Sequence, residues 1–119
     1  MVKIMDRKKE LKEMYKQIKP DMGIIVVQSK INNKYYLETT QNLKGKMNSI
    51  RFQLKSGGFR ANEQLQKEWK QYGSESFEIK VLENLEYDKD ESKSDYSEEL
   101  EIMKSIWDEK LKNQNSQPY

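Results

Sequence analysis

Residues 22–40 read MGIIVVQSKINNKYYLETT, and this stretch decides the fold. Met22–Gln28 is a short apolar run with β-branched residues at Ile24, Ile25, Val26 and Val27, the composition of a strand buried on both faces. Asn32-Asn33 supplies the turn, because Asn tolerates a positive φ. Tyr35, Tyr36 and Leu37 resume β-prone sequence and Thr39-Thr40 ends it, so the stretch predicts a hairpin.

Helical signals lie on either side. Ile4, Leu11, Met14, Tyr15 and Ile18 predict a helix over Asp6–Ile18, with Asp6 as N-cap and Pro20 as terminator. Leu43, Met47, Ile50 and Leu54 predict a second helix over Gln41–Lys55, stopped by Gly57-Gly58. Asn62 caps a third, Glu63–Tyr72, closed by Gly73. Phe77, Ile79 and Val81 alternate with Glu78, Lys80 and Leu82, which predicts a strand. Glu86–Asp95 is polar and acidic, a surface loop, and Tyr96 to Leu111 carries a last amphipathic stripe. The expectation is an α+β domain of order αββααβα, a small three-stranded antiparallel sheet flanked by helices. Residues 1–112 form one domain, with 1–20 preceding its core and 113–119 as a flexible tail.

Composition narrows the chemistry. The chain has no cysteine and no histidine, which removes thiolate sites, disulfides and the commonest general base. Any metal would need oxygen ligands, Mg²⁺ first. With 34% hydrophobic and 35% charged residues, 119 residues bury only a modest core. No apolar run spans a membrane and no signal-peptide pattern opens the chain, so a cytoplasmic location is expected. Residues 1–60 hold 14 Lys/Arg against 5 Asp/Glu, and residues 61–119 hold 8 against 15. The expectation is that the two halves attract one another or simply solvate the fold, the alternative being that the basic half faces nucleic acid or an acidic partner.

The order of short motifs resembles the GIY-YIG nuclease superfamily. Gly23-Ile24-Ile25 stands for Gly-Ile-Tyr and Tyr36-Leu37-Glu38 for Tyr-Ile-Gly; Thr40-Gln41-Asn42-Leu43, Asn62–Gly73 and Phe77–Glu83 follow in the family's order. The resemblance implies a three-stranded sheet flanked by helices. It implies two tyrosines around a water, an arginine on the phosphate, a helper one turn on and a metal-binding glutamate. Carried across, Tyr36 is the second tyrosine, Lys46 stands for the arginine, and Glu83 is the metal position with Glu38 as a further candidate ligand. Ile25 replaces the first tyrosine, Ile50 the helper, and Glu38 the glycine of the second motif.

Losing one placed transition-state donor costs about 10²–10³ in rate. The first expectation is therefore a catalytically degenerate domain used for binding or regulation, with no cofactor required. Similar small domains accompany regulators of the LuxR and ArsR type, so a regulatory protein is a candidate partner beside DNA. One alternative is an active Mg²⁺-dependent endonuclease using Tyr36, Lys46 and Glu83. The other is a non-cleaving nucleic-acid module using Lys44, Arg51, Lys55 and Arg60. In either nuclease reading Tyr36, Lys46 and Glu83 share one side of the sheet, with Glu38 nearby.

Overall fold

The computed structural model describes residues 19–119. The helix expected over Asp6–Ile18 lies outside the described residues. Strand β1 (Met22–Ser29) runs into β2 (Lys34–Thr40) through a turn in which Asn33 takes φ 57°. Ser29 Oγ accepts from the Ile31 and Asn32 amides, and Asn32 Oδ1 accepts from the Lys34 amide. The short polar side chains around Asn32-Asn33 thus close the hairpin that its sequence promised.

Helix α1 spans Leu43–Ser56, two residues later than expected at its start. Asn42 Oδ1 caps it by accepting from the Gly45 amide at 3.1 Å. Gly57 ends it at φ 84°, a left-handed conformation that costs glycine no Cβ clash. Helix α2, Glu63–Tyr72, has the expected bounds, with Asn62 Oδ1 accepting from the Leu65 amide at 3.0 Å. A short 3₁₀ turn, Ser74–Ser76, leads into β3 (Phe77–Leu85), and α3 covers Ser97–Asn113.

The sheet has the order β3-β1-β2-β4. The first three strands pair antiparallel, as expected. The fourth corrects the three-stranded expectation: Gln117–Pro118 form β4, which pairs parallel to β2, so the sheet is mixed and the described order is ββααβαβ. The expectation of a flexible tail over 113–119 rests on the usual fraying of chain ends, and Asn, Gln, Ser and Pro offer no strand signal against it. Tertiary contacts override that preference. The Gln117 amide donates to Asn33 O and the Tyr119 amide to Tyr35 O, while Pro118, which has no amide hydrogen, sits at the sheet edge where none is missed.

Alternation along β1 feeds two cores. Ile25 and Val27 pack with Leu43, Ile50, Leu54, Leu65 and Trp69 under α1 and α2. Ile24 and Val26 pack with Tyr35, Leu37, Met103 and Leu111 under α3. Burial on both faces explains the unbroken apolar run of β1. Gly23 is the second residue of β1 and lies against the β3 backbone: a Cβ there would stand 2.1 Å from Glu83 O, so the position admits no side chain. The register between β1 and β3 shifts just after it, at Ile24/Ile25.

Candidate functional site

Three of the residues singled out from sequence come together. Tyr36 and Glu38 are two apart in β2 and share a face, as strand geometry requires. The Tyr36 hydroxyl donates to Glu38 Oε2. Helix α1 crosses the same face and brings the Lys46 ammonium to 3.3 Å from Glu38 Oε1. One carboxylate therefore engages both remaining polar groups of the motif, one through each oxygen. Partial burial, then the hydrogen bond to Glu38 and its charge, push the Tyr36 phenol above its ordinary range. Its ring packs edge-on against Phe59 at 5.4 Å, which ties the loop after α1 to the cluster.

The two isoleucines at motif positions are core. Ile25 is 0% exposed and Ile50 is 2% exposed, both within the cluster under α1 and α2. Neither position opens to a water or a phosphate.

Glu83 does not join this group. It pairs across the sheet with Ile24, one residue out of step with the Ile25↔Glu38 pair. Its side chain therefore belongs to the opposite face, where its Oε1 accepts from the Trp107 indole at 2.8 Å. The expectation that Tyr36, Lys46 and Glu83 share one side fails for Glu83. The physical cause is the period of two in a strand, sharpened by the irregularity between Ile24 and Ile25.

Glu83 and Glu38 do not together make a site for the implied divalent cation. Glu83 and Glu38 stand on opposite faces and cannot hold one ion. Both Glu38 oxygens are engaged, one of them by an ammonium, and a divalent cation there would meet like charge. Among the described residues no three carboxylates gather around a common point.

Lys44, Arg51 and Lys55 lie exposed along the outer side of α1, and Arg60 is exposed in the loop that follows. Sequence reasoning passed over Glu68. It is 5% exposed, and its carboxylate accepts from Asn32 Nδ2 at 2.7 Å, Gln64 Nε2 at 2.8 Å and the Tyr119 hydroxyl at 3.0 Å. Burial pushes this carboxyl up, but the three donors together with Lys34 outweigh it and hold it below its usual value. Glu68 thus joins the hairpin turn, α2 and the chain's last residue. The i, i+4 spacing of Gln64 and Glu68 was visible in sequence, but the other two donors were not.

No family model matches the chain, and no curated protein matches it. Solved structures do. The catalytic domain of the homing endonuclease I-TevI aligns with a TM-score of 0.62 and 20% identity, over 82% of this chain and 96% of that one. The catalytic domain of the intron endonuclease I-TevI carrying the E75A mutation aligns with a TM-score of 0.61 and 18% identity, over 82% and 90%. Hairpin, helix and strand follow one another in this chain in the order the motifs implied, and its fold is that of a GIY-YIG nuclease catalytic domain.

Proposed function

We propose that this chain is a DNA-binding domain on the GIY-YIG scaffold whose cleavage chemistry has been lost and whose role is binding or regulation. The observation that carries the reading is the Tyr36–Glu38–Lys46 cluster. In the family, as the resemblance implies, the tyrosine meets a water and the helix cation meets the phosphate. Here the tyrosine hydroxyl donates its hydrogen bond to Glu38, and its raised pKa keeps it protonated, so it has no basic oxygen with which to take a proton from water. The cation is already neutralised by the same carboxylate. A phosphate approaching Lys46 would have to compete with this carboxylate for the ammonium, and the paired Glu38 would repel it. The buried isoleucines at 25 and 50 supply no replacement donor.

DNA as the partner is supported by the fold shared with a homing endonuclease domain and by the cations along α1. A nicking assay on supercoiled plasmid with Mg²⁺ or Mn²⁺, run beside duplex binding at two salt concentrations, tests the reading. The expected result is salt-sensitive binding without nicking. Wild-type nicking that disappears in Tyr36→Phe or Lys46→Ala would establish the active endonuclease instead.

A further inference from the structure

Helix α1 contains four cations, Lys44, Lys46, Arg51 and Lys55, and no carboxylate. Lys46 turns toward Glu38. The other three are exposed, and none pairs with a carboxylate of a described residue. At 100° per residue, Lys44, Asn48, Arg51, Phe52 and Lys55 fall within one quarter or so of the helix circumference. Phe52 lies within this stripe and is 72% exposed. The helix buries or half-buries its other apolar side chains, Leu43, Met47, Ile50 and Leu54. Burying an aromatic ring is favourable, and here the fold leaves it uncovered.

The exposed side of α3 makes the contrast. Ile102 and Ile106 are 56% and 49% exposed there, but Glu98 and Glu101 lie beside Ile102. That surface combines aliphatic side chains with negative charge, and it repels a phosphate chain. The stripe on α1 combines an aromatic ring with positive charge along about 16 Å of helix, the span from Lys44 to Lys55 at about 1.5 Å of rise per residue. An aromatic face flanked by cations is the chemistry that holds single-stranded nucleic acid, since every base has a face to stack while the cations follow the phosphates. In a closed duplex the base faces are already stacked on one another and offer Phe52 nothing.

Resting on the DNA-binding reading above, we infer that the outer stripe of α1 is a docking surface for unpaired DNA: Phe52 stacks on an exposed base, and Lys44, Arg51 and Lys55 hold the neighbouring phosphates. Anisotropy titrations of the full chain with a labelled mixed-sequence single strand and with a blunt duplex, each at two salt concentrations, test it. Phe52→Ala should weaken single-strand binding about tenfold, with an unchanged salt slope and unchanged duplex binding. Phe52→Trp should restore it. The Lys44/Arg51/Lys55 triple alanine variant should lower the salt slope by about two for the single strand. Because all four side chains are exposed, these variants leave the core intact. Phe52→Ala that binds the single strand as wild type does overturns the inference while leaving DNA binding standing. Absence of salt-sensitive binding to either oligonucleotide overturns both. A free protein whose sedimentation shows self-association lost in Phe52→Ala assigns the stripe to a second copy of the chain and overturns the inference as well.

Discussion

Tyr35 and Tyr36 are neighbours in β2 that point to opposite faces of the sheet, and each hydroxyl donates to a carboxylate. Their surroundings give these similar bonds different work. Tyr35 is 1% exposed and reaches from the sheet to α3, where its hydroxyl meets Asp108 Oδ1 at 2.5 Å and Asp108 in turn pairs with Lys112 at 3.0 Å. This bond crosses 73 residues of sequence and fixes a helix to a sheet. Tyr36 is half-buried, and its carboxylate lies two residues away on its own strand. That bond joins two residues of one strand and no distant elements. Motif position therefore says little about a tyrosine's role, whereas the origin of its partner says a great deal.

The largest expected effect sharpens this contrast. Tyr35→Ala should destabilise the domain by about 4 kcal/mol, since it empties a fully buried aromatic site, and Tyr36→Ala by about half as much. Urea unfolding checks both, and equal losses would break the distinction. Glu68→Ala should follow at about 3 kcal/mol, because it strands donors on three separate segments. Thermal melts of that variant should also show whether β4 is lost first.

Acid sensitivity comes next. The Tyr35 hydrogen bond, then Lys112 and Lys104, hold Asp108 below its ordinary value against the opposing effect of burial, and Glu68 is likewise depressed. A carboxyl with a lowered folded-state pKa stabilises the fold above its unfolded value, near 3.8 for Asp and 4.5 for Glu, and loses that contribution as pH falls through the folded one. Stability should therefore decline below about pH 4.5, and Asp108→Asn should flatten the lower part of that decline in a pH series of unfolding curves. The smallest effect belongs to the Tyr36 side. Lys46→Ala should change stability by less than about 1 kcal/mol, since the pair is partly exposed and screened. A larger loss would make the cluster architectural, like its neighbour.

The motif-bearing hairpin, α2 with its cap and stop, and the two-sided burial of β1 were legible in sequence because each rests on local chemistry: turn residues, capping side chains and periodicity. The grouping of Tyr36 with Glu38 was legible too, since alternate residues of a strand share a face. That Glu38 would bind Tyr36 and Lys46 rather than simply stand in a phosphate's way was not, because it depends on where α1 crosses β2. Glu83 was placed correctly at the β3 strand but on the wrong side of the sheet; its direction depends on the register with β1.

Local sequence was enough for the hairpin, for both ends of α2 and for the two isoleucines at motif positions, because each is set by residues within a few positions of one another. Long-range packing places the final residues in a strand, lets Glu68 tie three segments together, turns Glu83 toward Trp107 and leaves Phe52 in solvent beside three cations. Each of these depends on contacts between residues far apart in the chain, and no local preference encodes them.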